Sequence, residues 1–442
     1  MSKDLLTLPH PDERTVMEGY SQNPLDFFKN CAREFGEIVP VQLEDDLICL
    51  LTNPEHITEV LKNRVLFVKG KDLQILHRFL GNGLITSEGD FWQRQRRLTQ
   101  PVFHQQRIED YGAVMVEYTA RILQTWREDE VRDVYNDMMR LTFNIVMKTL
   151  FDQDMTDNEA NQILYSVEEA MNWYETQSVT NYADQGELTP ADIRYQSAME
   201  QLDQAMYAMI QQRREQGEMK RDLLSMLMQV QDADDGSKMS DLQLRDEAAS
   251  LITAGHETTS NTLSWTWMLL AQHPQVREKL TQELKTVLDG RLPTLEDLPS
   301  LVYTTMIIKE SMRLYPAVTD LSREATQDCE IGGYFIPKGC TLIMSQWVMH
   351  RDPRYFEDPE VFIPERWEND IEKQIPRGVY FPFGDGPRFC IGKSFAMMEA
   401  VLILATIAQK WKLELAPDCK IELQPSITLR PKHGIKVILK QV

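Results

Sequence analysis

The chain has 442 residues, 42% hydrophobic and 26% charged, which is a globular composition large enough for one big domain or two to three ordinary ones. Its formal charge of −21 argues against nucleic acid or an anionic membrane as a partner. No apolar run is long enough to span a bilayer, the N-terminus is too polar for a signal peptide, and the six scattered cysteines form no C-x-x-C pair, so a reducing, cytoplasmic location is expected.

In chain order, LDFFKNCAREF at residues 25–35 reads as a short amphipathic helix. Residues 38–52 read as a hairpin, two apolar β-rich runs around Glu44, Asp45 and Asp46, and residues 54–61 open another helix. Residues 67–89 are punctuated by glycine. In FWQRQRRL, residues 91–98, Trp92 and Arg96 stand one turn apart on one helix face. Arg94, Arg96 and Arg97 are either a solvated surface or, in so acidic a chain, a basic patch. Helical apolar spacing predicts core helices at 105–126 and 131–151. Two further helices, 159–175 and 190–216, flank a polar stretch at 176–188. A short helix at 220–230 and a surface loop at 231–238 follow.

Residues 240–273 form a long helix. Ser240 with Gln243 reads as a capping box and Pro274 as the stop, giving about 50 Å at ~1.5 Å per residue. Its centre, Ala254-Gly255-His256-Glu257-Thr258-Thr259-Ser260, is rich in residues that weaken a buried helix. That is either a harmless polar face or a functional one. Glu310 and Arg313 form an i, i+3 pair on the helix 303–315; on an exposed helix such a pair is worth only ~0.2–0.5 kcal/mol. Residues 331–336 and 341–344 read as a hairpin turning at Pro337-Lys338-Gly339. Residues 413–442 alternate like strands.

The stretch FPFGDGPRFCIG, residues 381–392, places Cys390 on a glycine-rich loop feeding the N-terminus of an apolar helix. Local N–H groups and the helix dipole there favour a thiolate. The alternatives are an inert buried thiol, a nucleophile, a zinc ligand or the axial ligand of a haem. No second Cys or His stands at zinc spacing, and neither His350 nor His433 sits in a cysteine-protease context. One thiolate suffices for haem, because the porphyrin supplies four nitrogens.

The pattern F-x-x-G-x-x-x-C-x-G, here Phe383, Gly386, Cys390 and Gly392, resembles the haem-binding loop of the cytochrome P450 superfamily. Three more elements resemble that family in its order: Trp92 with Arg96, the stretch from Ala254 to Thr259, and Glu310 and Arg313 followed by Pro364-Glu365-Arg366-Trp367. The resemblance covers residues 24–439. It implies a mainly α fold with a small β region, a helical prism around a buried haem. It also implies a single catalytic domain over 1–442, β-rich at about 36–68, 317–345 and 413–442.

The same resemblance assigns roles. Cys390 is the ligand of haem b. Trp92, Arg96, Arg323 and Arg388 face the propionates, with Phe383 and Ala254 as further haem contacts. Glu257 and Thr258 relay protons, and Ala254 and Gly255 leave room for dioxygen. Glu310, Arg313 and Arg366 form a buried structural cluster. Leu84, Ile85, Thr86, Ala317, Val318, Ile427 and Thr428 face the substrate, in a segment that also carries Asp320. The implied function is a monooxygenase placing one oxygen atom of O2 into a hydrophobic, lipid-like molecule such as a fatty acid derivative or a terpene. The hairpin 38–52 lacks the Lys or Arg that fatty-acid hydroxylases of this type carry there, which favours a neutral substrate. Electrons would come from a separate ferredoxin or flavodoxin-type donor with its NAD(P)H reductase, docking near Arg94, Arg97 and Lys393. A monomer without a membrane anchor, of bacterial type, is expected. The rival readings are a haem-thiolate peroxygenase or isomerase and a non-catalytic haem-based ligand-binding protein. Those subfamilies generally lose the acid–threonine pair.

Overall fold

The structure, a computed structural model, describes residues 3–43, 46–103, 105–179, 189–217, 222–229 and 238–442. The acidic turn at Glu44 and Asp45, most of the stretch 176–188, the ends of the 220–230 helix and the loop 231–237 lie outside these residues. The chain forms two compact units. One comprises Met1–Gln74, Thr305–Lys393 and Leu423–Arg430; the other comprises Ile75–Thr304, Ser394–Glu422 and Pro431–Val442.

The first unit is built on a five-stranded sheet in the order Ile38–Leu43, Asp46–Leu51, Thr341–Ser345, Asp320–Ala325, Phe67–Lys69. Only the Asp46–Leu51 and Thr341–Ser345 pair is parallel. Successive side chains on a strand point to opposite faces, and both faces of this sheet are covered. Cys49, Leu51, Leu342 and Met344 join one core, with Ile57, Val60, Leu61, Trp367 and Phe381. Val39, Val41, Leu50 and Ile343 join the other, with Val16, Phe27 and Phe28 from the helices Glu13–Gln22 and Pro24–Phe35. Phe381, the first residue of the cysteine loop, is thus anchored in the core.

The hairpin expected at 331–344 is wrong. Cys329–Ile331 pairs with Tyr334–Ile336, and Thr341–Ser345 belongs to the large sheet. Gly332 and Gly333, with φ of +58° and +84°, turn the chain earlier than the Pro-Lys-Gly signal suggested.

The second unit is helical apart from a three-stranded sheet, Trp411–Leu415, Lys436–Gln441 and Val131–Asp133. The strand Val131–Asp133 was expected as helix; its pairing with Lys436 to Ile438 overrides the local pattern, and the helix begins at Val134. The long helix Asp241–Gln272 starts on the predicted Ser240–Gln243 capping box. It lies against Val134–Phe151, where Thr142 donates a 2.9 Å hydrogen bond to the His256 carbonyl and Phe143 meets the His256 ring edge-on. Asp157–Val179 and Pro190–Gln216 pair through stacked Trp173 and Tyr195. Among the described residues, no helix is long and apolar enough to cross a membrane.

Candidate active site

In the first unit, the loop carrying Cys390 is held from several sides. Its start is fixed by three bonds: the Phe381 N–H donates to His350 Nε2 at 3.1 Å, Gln346 donates to the Phe381 carbonyl at 2.7 Å, and Tyr380 donates to the Lys309 carbonyl at 3.0 Å. Burial, followed by the charges of Arg313 and Arg351, holds the His350 imidazole well below the ordinary histidine range, so it accepts as a neutral ring. Gly384 and Gly386 both have positive φ. A Cβ at Gly386 would stand 2.2 Å from the Leu61 carbonyl oxygen, so only glycine lets the loop lie on that backbone. The Cys390 N–H then returns to the Phe383 carbonyl at 2.9 Å, and the Cys390 side is exposed. Lys393 caps the loop with its ammonium over the Phe383 and Phe389 rings.

Behind this loop lies the ion cluster. Glu310 accepts from Arg313 at 2.8 and 2.9 Å, from Arg366 at 3.2 Å, from the Trp367 indole at 2.9 Å and from the Ile363 N–H at 3.0 Å. Arg313 spends its remaining donors on the carbonyls of His350, Pro359 and Val361. Glu310 and Arg313 are fully buried. With every lone pair and N–H engaged, the charges are affordable in the interior.

Arg388 and Arg323 stand at opposite ends of one strand. Arg388 donates to the carbonyls of Arg64 and Phe67, and Lys69 lies opposite Arg323 in the register. On the strand Asp320–Ala325, Leu321 faces Gly384 of the cysteine loop, while Ser322 faces the other way and donates to Asp72. By alternation Asp320 shares the Ser322 side. Burial pushes Asp320 up to about 6, helped by the nearby Asp72 charge and opposed by the Thr319 hydroxyl at 2.9 Å. Asp320 therefore lies on the strand face opposite Leu321 and the cysteine loop. Ala317 and Val318 are half-buried, and the Leu429 N–H bonds the Ala317 carbonyl at 2.8 Å. That bond sets Ile427 and Thr428 beside them.

In the second unit, Ala254 and Thr258 are half-buried on a helix whose neighbouring side chains are buried, and they stand one turn apart. Thr258 donates to the Ala254 carbonyl at 2.9 Å, and Glu257 beside it is fully buried. A Cβ at Gly255 would come within 3.1 Å of Val146 Cγ2, so its smallness also serves helix packing. Leu84 and Ile85 sit on a loop clamped to the same helix. The Asn82 N–H donates to Asp246 at 2.8 Å and the Leu84 N–H to Glu247 at 3.2 Å. Those clamps lie two turns, about 12 Å, before Ala254. Thr86 donates to the Gly81 carbonyl at 2.7 Å and closes the loop. On the helix Gly89–Thr99, Trp92 is buried, Arg96 half-buried and Arg97 exposed.

Sequence reasoning missed Asp246, Glu247, His350 and Gln346. Their partners lie far away in the chain. The only local signal was the closely spaced Gly81 and Gly83, whose missing Cβ atoms let Asp246 and Ser250 approach.

The cytochrome P450 family profile matches residues 15–439. The chain belongs to the cytochrome P450 family. It is 35% identical over 399 residues to cyclooctat-9-en-7-ol 5-monooxygenase of Streptomyces melanosporofaciens, covering 90% of this chain and 86% of that enzyme. It is 30% identical over 401 residues to pentalenene oxygenase of Streptomyces avermitilis, covering 90% and 89%. It is 31% identical over 417 residues to a human ultra-long-chain fatty acid omega-hydroxylase, covering 88% and 78%. This P450 is a monooxygenase, an oxidoreductase that uses molecular oxygen on lipophilic substrates with electrons from a redox partner. The family implies a haem held by a cysteine thiolate, and the donor set fits. A single exposed thiolate at Cys390 suits a haem, whose porphyrin supplies the iron's other four in-plane ligands.

Proposed function

We propose that this P450 hydroxylates a cyclic terpenoid or a similarly compact, neutral hydrophobic molecule, using haem b held by Cys390. The observation that carries the reading is the accessible Ala254–Thr258 strip beside buried Glu257 on an otherwise buried helix. The names of the two Streptomyces relatives support the terpenoid class. So does the apolar character of Ala317 and Val318, held by a backbone bond to Leu429, the residue after Ile427 and Thr428.

When bound, the haem supplies the activation of dioxygen. The chain supplies the rest. Cys390 would hold the iron through its thiolate, which would supply electron density to it. Trp92, Arg96, Arg323 and Arg388 would offer donors to the haem propionates, for which a planar guanidinium is well shaped, and Phe383 would be a further haem contact. Thr258 turns its hydroxyl from the Ala254 carbonyl to hold and pass a proton, and Glu257 replenishes it. Leu84 and Ile85 shape the apolar wall. Electrons arrive from a ferredoxin or flavodoxin-type donor.

The test is incubation of the reconstituted enzyme with a panel of cyclic terpenes, terpenols and fatty acids, with products read by mass spectrometry. A hydroxylated terpenoid is the expected result; turnover of fatty acids alone would overturn the substrate class. Cys390→Ser should abolish the thiolate signature of the reduced carbon monoxide spectrum. Thr258→Ala should divert electrons to peroxide, and unchanged coupling in that variant would remove Thr258 from its role.

A further inference from the structure

Glu399 lies on the helix Lys393–Ala408, and no part of the chemistry above uses it. It is fully buried, and among the described residues neither carboxyl oxygen has a hydrogen-bond partner. The polar group it meets is the Thr259 hydroxyl of the long helix, near it but outside hydrogen-bonding geometry. Burial drives its carboxyl well above the usual range, with Thr259 a minor opposing influence. An ionised carboxylate left without partners there would cost several kcal/mol, so the group is neutral and carries a proton to donate.

Thr259 follows Thr258 directly. Its hydroxyl makes a long 3.4 Å bond to the Gly255 carbonyl, parallel to the 2.9 Å bond from Thr258 to Ala254. A neutral Glu399 can donate to Thr259 Oγ1 while Thr259 still donates to Gly255. An ionised Glu399 would instead accept the Thr259 hydroxyl hydrogen bond and release the Gly255 carbonyl. The protonation state of one buried acid therefore sets the direction of the hydroxyl next to Thr258.

We propose that Glu399, as a neutral acid, is a positioning residue: it donates to Thr259, directly or through one buried water, and so fixes the hydrogen-bond direction of the turn from Ala254 to Thr259 that carries Thr258. The proposal rests on the oxygen-side role given to Thr258. No proton is consumed, because Glu399 holds its proton throughout. A water is reasonable, since buried polar groups without protein partners are commonly satisfied by one.

Infrared difference spectroscopy of the ligand-free and haem-loaded protein against Glu399→Gln tests the first half. A protonated-carboxyl band near neutral pH that disappears in Glu399→Gln and shifts to higher frequency in Thr259→Ala is expected. Absence of the band, or a band indifferent to Thr259, would overturn the proposal. The second half is read from peroxide formed per NADPH. Glu399→Leu should raise it roughly two- to tenfold, the equivalent of one net hydrogen bond, while Glu399→Gln, which keeps a donor, should restore coupling. If Glu399→Gln leaks as badly as Glu399→Leu, the proton itself is transferred and the positioning role is wrong. If Thr258→Ala leaves coupling intact while the infrared result stands, the reading of Thr258 fails and the Glu399–Thr259 link survives.

Discussion

Asp320 lies on a strand between Thr319 and Leu321, and its environment works against its charge. Its carboxyl titrates at about 6 rather than the ordinary 3.8, first because it is buried and second because Asp72, itself raised by burial, adds a like charge. The sign follows. Between those two values the folded protein keeps a proton that the unfolded chain has released, so stability falls as pH rises through this window and stays low above it. Asp320→Asn removes the penalty. The variant should match the parent at about pH 4 and exceed it by about 1–3 kcal/mol at about pH 8, the equivalent of a shift near two units. Denaturant melts at both pH values check this; an equal gain at both would mean that the effect is not titration. His350 contributes the opposite slope. Its depressed folded value supports the protein above the ordinary 6.5 and ceases to do so as pH falls below it.

The cysteine loop and its brace show what one element demands of its neighbours. Gly386 combines a positive φ with backbone oxygen 2.2 Å from where a Cβ would sit, while Gly255 has only a side-chain methyl at 3.1 Å. Gly386→Ala should therefore displace the loop and lower haem retention sharply, whereas Gly255→Ala should be absorbed by a small shift of Val146. Haem content after gel filtration distinguishes the two, and equal loss would contradict the contrast. In the brace, Arg366→Leu leaves Glu310 with Arg313 as its one cationic partner. Cutting into a buried ion group typically costs about 3–5 kcal/mol; because Arg313, Trp367 and Ile363 still serve Glu310, the lower end is expected, read as a drop in the denaturation midpoint. Glu310→Leu, which strands Arg313, should cost more.

Much of this was legible in the sequence. The loop, the capped long helix, the Glu310–Arg313 pair and the Pro364 to Trp367 segment are short-range patterns, and their spacing survives folding intact. What was not legible depends on partners far apart in the chain: Asp246 and Glu247 on the loop near Leu84, His350 on Phe381, Asp72 beside Asp320. Side-chain direction was hidden too. Asp320 and Leu321 are adjacent in sequence and face opposite ways, and the packing of Gly255 against Val146 has no local signal. The hairpin at 331–344 failed because two turn signals competed and Gly332-Gly333 won.

At the scale of the whole molecule the dominant fact is a net charge of −21. The ferredoxin-type donor proposed above would, if acidic, be repelled by that charge on average, so its encounter would rely on local cations. Arg97 is exposed and Arg94 half-buried on the helix Gly89–Thr99, and Lys393 is exposed at the end of the cysteine loop. Local attraction of this kind acts over about one Debye length, ~8 Å at physiological ionic strength, and fades as salt is added. Steering of this origin can change association rates by roughly 10- to 1,000-fold. Arg97→Glu and Lys393→Glu should each slow reduction by ferredoxin about tenfold at low salt, with the difference closing as salt rises. Reduction by dithionite, a small reagent that needs no docking surface, should be unchanged in both variants. Stopped-flow measurement across a salt series decides the matter. A slowing that persists at high salt, or that extends to dithionite, would mean that the substitutions disturb the haem environment and that the donor docks elsewhere.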